Sequence, residues 1–336
     1  MRFRIAKPSN HMSFGNLFYT NPSKESERRA MRELQFICAE KMDKRMLEQL
    51  NRELDAIEET NNATGTLIMY EIGELSKELG YPVMLYGMES GLYIMEVLGV
   101  SGVHLDDYER SETPSEMCIA EMLFKPYTFT LGIAEPVREH IQKRLDARFG
   151  NWESDTETYK CIDLPNWEAL EQIGKLSKAT NGPISEPIKC DMWIFDKLYT
   201  EMNNDHAYGA SGPLSPLIIA RQYAFERCNH KDDVLFSDVK NYVFRDSVYE
   251  ALRGAGAVKP EALRLARNSS RGKKKKEDLF FLEQYDLPEN LFYCYKVLGN
   301  LWSMTSCLSR VNVHALLLYY KRMHTEVYKQ IVENNN

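Results

Sequence analysis

The stretch Tyr127-Thr128-Phe129-Thr130-Leu131 alternates aromatic and β-branched residues with period two, the pattern of a strand. Thr128 and Thr130 lie two apart and would point to one face. Carboxylates at that spacing could hold two divalent ions, but two hydroxyls cannot, because Mg²⁺ wants hard, anionic oxygen ligands. Asp163 is a second candidate. It sits in the short, β-compatible run Cys161-Ile162-Asp163-Leu164, where a carboxylate is costly unless it finds partners; an aspartate just ahead of a helix also serves as a turn or cap. A third candidate is Gly87-Met88-Glu89-Ser90-Gly91, which follows the strand-like Tyr81–Tyr86 and leads into a helix carrying Leu92, Met95 and Leu98. A strand, glycine turn and helix in that order can offer backbone N–H groups to a phosphate. Glu89 would repel an anion there and no Gly-Lys-Ser/Thr follows, so a structural turn suits the same residues. The fourth candidate is the basic run Arg264, Arg267, Arg271, Lys273, Lys274, Lys275 and Lys276, able to neutralise several backbone phosphates. No aromatic residue interrupts it, and Glu277 and Asp278 follow directly, so a solvated helix–helix connection accounts for it equally well.

Helices are expected to position these residues. Apolar stripes predict a helix from Ser23 (Met31, Leu34, Cys38), one over 46–59 (Leu47, Leu50, Leu54, Ile57) and one over 65–79 (Ile68, Ile72, Leu75). Pro136 suits the first turn of a helix over 135–149, with Val137, Ile141 and Leu145 inward and Gly150 as its stop. Trp167, Leu170, Ile173 and Leu176 predict another, ending near Asn181-Gly182. Residues 1–22 and 151–159 read as irregular, and 101–126 as a polar connection with an apolar piece at 117–124. Residues 183–216, rich in Pro, Gly, Asn and Ser around one helix at 192–202, read as a linker between a 1–182 domain and a helical 217–336 domain. The latter carries expected helices over 217–228, 247–253, 260–268, 288–301 and 311–332, with a short turn over 237–242.

Composition narrows the class. At 43% hydrophobic and 27% charged residues, the chain has the make-up of a soluble globular protein, and no apolar run reaches membrane-span length. The net charge of -7 argues against non-specific binding of polyanions by the molecule as a whole. Seven scattered cysteines, without a Cys-x-x-Cys pair, fit a reducing, cytoplasmic setting and not a zinc ribbon or a disulfide scaffold.

Taken in order, several segments resemble the bacterial replicative DNA polymerase III alpha subunits, closest to the PolC type. Leu47–Gly99 is similar to the approach to the palm, through Leu54–Thr60, Ser76–Tyr81 and Gly99. Leu131–Gly150 resembles the segment after the catalytic Asp-x-Asp, with Glu135 and Phe149-Gly150 in place. Leu235–Arg271 and Tyr285–Tyr328 resemble the fingers, through Leu287-Pro288-Glu289, Lys296, Val311 and Tyr319-Tyr320-Lys321. About two-thirds of the chain is covered. The resemblance implies an α+β, mostly helical fold: a small polymerase C-family-like palm sheet with flanking helices, then a helical fingers-like region.

It also implies a degenerate site. In the family three aspartates hold two metals about 3.5–4 Å apart, which activate the primer hydroxyl and stabilise the leaving pyrophosphate. Here Thr128 and Thr130 stand at the paired positions and Asp163 at the third. The nucleotide-phosphate loop becomes Met84–Ser90, with Tyr86 in place of its arginine and Gly87 and Ser90 as the remaining nucleotide-binding candidates. The fingers motif Pro-Lys-Ala-His is Ser303-Met304-Thr305-Ser306, and the interval from Gly150 to Asp163 is too short for a thumb. The expectation is a catalytically inactive palm-and-fingers protein without a metal or other cofactor, binding DNA or a replication protein and no membrane. The alternatives are a pure interaction scaffold and a residual DNA-directed DNA polymerase using Mg²⁺ with Asp163 and acids such as Glu89 or Glu135.

Overall fold

The computed structural model describes residues 1–6, 14–101, 113–124, 127–165, 167–184, 216–228, 230, 234–270 and 276–333. The fold is α+β and mostly helical, built on one mixed five-stranded sheet. The strands are β1 (Phe3–Ala6), β2 (Phe14–Pro22), β3 (Met84–Tyr86), β4 (Phe129–Gly132) and β5 (Ser154–Pro165), in the spatial order β1-β2-β5-β4-β3. Only β4 and β5 run parallel; every other pairing is antiparallel. Alternation puts Phe3, Leu17, Tyr19, Ile162, Leu164, Phe129, Leu131 and Leu85 on one buried face.

Against that side pack α1 (Lys24–Lys41), α3 (Ala63–Glu78) and α6 (Glu135–Phe149), with α2 (Leu47–Glu59) and the short α4 (Tyr93–Val97) beside them. Ser23 caps α1, its Oγ accepting the Ser26 N–H at 3.1 Å. In α6 Val137, Ile141 and Leu145 are fully buried, each side chain stabilising the fold by roughly 2 kcal/mol. α3 approaches the sheet at Gly65, where an added Cβ would lie 2.8 Å from Tyr19 Oη and 3.5 Å from the Phe129 ring. The buried Tyr19 ring has little room to yield. Gly65→Ala is therefore expected to lose about 1–2 kcal/mol of stability in urea denaturation, the overlap outweighing the gain of about 1 kcal/mol in helix propensity.

The remaining helices are α5 (Thr113–Phe124), α7 (Glu168–Thr180), α8 (Pro216–Arg227), α9 (Phe236–Val239), α10 (Arg245–Gly254), α11 (Lys259–Ser270), α12 (Lys276–Leu282), α13 (Glu289–Val297), α14 (Met304–Met323) and α15 (Thr325–Tyr328). α14 packs on α8, α7 and β3, so the C-terminal helices touch the sheet layer directly. No described helix is long and apolar enough to cross a membrane. The six cysteines among the described residues carry free thiols.

Several expectations need correction. Residues 1–22 supply two strands, because β2 pairs along most of its length with β5 and Leu17 and Tyr19 alternate inward while Asn16 and Phe18 stay partly exposed. The acidic 151–159 loop is largely strand: β5 begins at Ser154 and its outer half pairs only with β2, so the polar side chains stay wet. The apolar piece near 117–124 is a full helix, α5. The helix expected over 311–332 starts earlier, at Met304, and breaks at His324. The helix expected over 288–301 stops at Val297. The helix expected over 192–202 and most of the 183–216 linker lie outside the described residues.

Candidate functional site

Strand register brings the sequence-nominated residues into one row. Thr130 pairs with Tyr86 on one side and Asp163 on the other, and Asp163 pairs with Asn16. Residues directly opposite on adjacent strands share a face, so Thr130, Asp163 and Asn16 stand side by side. Thr130 and Asp163 are half-buried. Thr128 is exposed and lies ahead of β4, which starts at Phe129; it is not a strand residue as the sequence pattern implied. The Tyr86 side chain is outside the described part of the structure.

Asp163 is the one carboxylate in this row. The Cys161 thiol lies 3.7 Å from its Oδ1, and the Asn16 amide, with its nitrogen turned inward, reaches the same oxygen at 3.3 Å. Burial raises the Asp163 carboxyl above its ordinary value, and burial beside that carboxylate pushes the Cys161 thiol up to about 12. A thiol and an amide are poor company for a hard dication. Among the described residues no group of three His, Cys, Asp or Glu side chains converges to hold a metal ion.

The two other acids named as candidates point elsewhere. Glu89 is buried beneath the turn that carries it: its Oε2 accepts the Tyr127 hydroxyl at 2.6 Å and its Oε1 the Thr130 N–H at 3.0 Å. It therefore neither meets an incoming anion nor shares a ligand site with Asp163. Glu135 opens α6 and pairs with Arg138 Nε at 3.0 Å.

The glycine turn closes on α14. Gly87 has φ +95°, available to glycine without strain, and its N–H donates to Ser306 Oγ at 2.8 Å. The Gly87 carbonyl accepts from Ser90 Oγ at 2.7 Å and Ser306 Oγ at 3.1 Å. Ser303 caps α14, and Asp246 of α10 accepts the Met304 N–H at 2.8 Å. The 87–90 turn and the 303–306 start of α14 are thus neighbours in space, and their polar groups bind one another. Sequence reading missed Asp246, which reaches α14 from 58 residues away; no local spacing could signal that cap.

The basic run is partly consumed as well. Arg264 Nη1 lies 2.5 Å from the buried Asp278 carboxylate, and Arg267 Nε 3.3 Å from Glu121. Arg271 and Lys273–Lys275 are outside the described residues, and Lys276 opens α12 with its side chain undescribed. Neither a protein-family model nor a curated protein sequence matches the chain.

Proposed function

We propose that the chain is a non-catalytic, polymerase-like protein that binds nucleic acid, with a palm-like sheet and a helical fingers-like region related to bacterial replicative polymerase alpha subunits. The observation that carries the non-catalytic part is the row Thr130–Asp163–Asn16, in which one carboxylate sits between a hydroxyl, an amide and a thiol. Two Mg²⁺ ions need more anionic oxygen than this row supplies, so the residues do not fit the metal pair. Support for descent from a polymerase comes from the resemblance in sequence order together with the contact between the 84–91 turn and the 303–306 corner.

Gel-shift titration with single-stranded and primer–template DNA tests the binding part. Retarded complexes at low salt that dissolve as salt rises are expected, and primer extension with Mg²⁺ or Mn²⁺ should give no product. A scaffold reading is favoured by one observation, the satisfaction of the Gly87 N–H by Ser306 of α14 and of the Ser90 hydroxyl by the Gly87 carbonyl; absence of any shift at low salt with either DNA would leave that reading in place. The double variant Thr128→Asp/Thr130→Asp is expected to restore no primer extension, because Thr128 lies off the strand and the phosphate-contact positions remain closed. Mg²⁺-dependent extension by that variant would overturn the non-catalytic assignment.

A further inference from the structure

Three arginines gather around α14 at sites that the sequence did not join. Arg227, at the end of α8, lies with its guanidinium 3.7 Å over the Tyr223 ring, one helical turn back. Arg310, two turns into α14, lies 4.8 Å from the Trp302 ring and 5.5 Å from the Trp167 ring. Arg245 opens α10, where its backbone N–H binds the Trp302 carbonyl at 3.1 Å. The Tyr223 and Trp302 rings, 6.3 Å apart, join the first two sites, and the charges of all three arginines act on the buried Cys307 thiol of α14.

Arg227 and Arg245 differ from Arg264 and Arg267 in what neutralises them. The latter two sit on Asp278 and Glu121, whereas among the described residues no carboxylate lies within ion-pair distance of Arg227 or Arg245; the Arg245 charge acts at longer range on the buried Glu89 and Asp246, so the contrast is sharpest at Arg227. The Arg245 Nε–H is moreover buried without an acceptor. A guanidinium stacked on a ring is held in place and loses little freedom on pairing with a phosphate, which it can grip through two N–H groups. Trp302 and Trp167 are half-buried beside Arg310. Cations alternating with ring faces match a strand in which phosphates alternate with unpaired bases; an acidic peptide would use the cations alone.

We propose that the α8–α14 face, through Arg227, Arg245 and Arg310 flanked by Trp302 and Trp167, holds a single-stranded nucleic acid. The inference rests on the nucleic-acid reading above and moves its main contact away from the Arg264–Lys276 run.

Fluorescence anisotropy on the full chain with a labelled oligothymidylate of about 20 nucleotides, titrated at several salt concentrations, tests the placement. Arg227→Gln should weaken binding about fivefold and Arg227→Gln/Arg310→Gln about thirtyfold, with the log–log salt slope falling by about 0.7 for each phosphate contact removed. Arg227→Lys should keep the slope and lose only part of the affinity, and Arg264→Gln should stay within about twofold of the parent. Arg227 is exposed at a helix end, so its single variants keep the test decisive even if the double variant folds poorly. Parent-like binding by both Gln variants of Arg227, with loss on neutralising Lys273–Lys276, would overturn the placement and leave the nucleic-acid reading standing. Failure of the parent chain to bind at low salt would overturn both. Competition by polyglutamate as strong as by unlabelled oligothymidylate would overturn the choice of partner.

Discussion

Replacing Glu53 by alanine is expected to cost about 4–6 kcal/mol, close to the whole stability of many domains. Glu53 is completely buried, and four donors converge on it. Its Oε1 accepts from Gln49 Nε2 at 2.9 Å, the Tyr93 N–H at 3.0 Å and Ser115 Oγ at 2.6 Å, while its Oε2 accepts from the Ile94 N–H at 2.8 Å. One side chain of α2 therefore caps α4 and ties down the start of α5. Truncation strands these donors where water enters poorly, each at about 1–3 kcal/mol before relaxation, and leaves a cavity. Glu53→Gln separates the two effects. It keeps the volume and one carbonyl oxygen but turns an amide N–H₂ toward the Ile94 N–H, so a loss of about 2 kcal/mol is expected. Urea denaturation of the two variants checks the ordering. A cost below about 1 kcal/mol for Glu53→Ala would mean that the four donors find other acceptors.

Glu53 also shows what a sequence can and cannot display. Its neighbours on α2, Leu50, Leu54 and Ile57, recur at helical spacing and mark the buried stripe directly. The same holds for Val137, Ile141 and Leu145 on α6. Glu53 itself lies among those residues as one more charge. What it caps is 40 residues away, Glu27 accepts the Thr64 N–H at 3.2 Å from 37 residues away, and Asp246 reaches Met304 across 58. Carboxylates used as caps for distant helices leave no periodic trace, because the partner is a backbone N–H that every residue carries.

Strands failed to show for a related reason. β1 is only four residues long, β2 mixes Gly15, Asn16, Thr20 and Asn21 with its apolar residues, the outer half of β5 is polar, and their order comes from pairing with one another. The candidate site was legible where it depended on alternation: Thr130 and Asp163 do meet across a strand pair. It was not legible where it depended on strand ends, and Thr128 falls just outside the ladder. Nor could spacing along the chain reveal that Arg227 and Arg310 meet through the Tyr223 and Trp302 rings, since Arg227 and Tyr223 alone are neighbours at a helical interval.

Glu89 is expected to make the chain lose stability as pH rises, by about 3 kcal/mol between pH 4.5 and 7.5 from this side chain alone. Burial pushes its carboxyl up to about 7, while hydrogen bonds from Tyr127 and Thr130 and the charge of Arg245 pull the other way. The unfolded chain releases this proton near the ordinary carboxylate value. Between that value and about pH 7 the folded state therefore holds a proton that the unfolded state has lost, so unfolding becomes easier as pH increases. The buried Asp246 and Glu53 carboxyls are raised too and add to the trend with the same sign. Glu89→Gln isolates the Glu89 share. Its amide carbonyl can accept the Thr130 N–H, and its N–H₂ can donate to the Tyr127 hydroxyl once that hydroxyl turns toward Cys118, whose Sγ lies 4.0 Å away. The variant should therefore be less sensitive to pH than the parent, with a difference of about 2 kcal/mol in how much stability each loses between pH 5.5 and 8. Denaturant titrations at both pH values read that difference directly. Parallel losses in parent and variant would show that Glu89 is already ionised at pH 5.5, and that the donors from Tyr127 and Thr130 outweigh the burial of its charge.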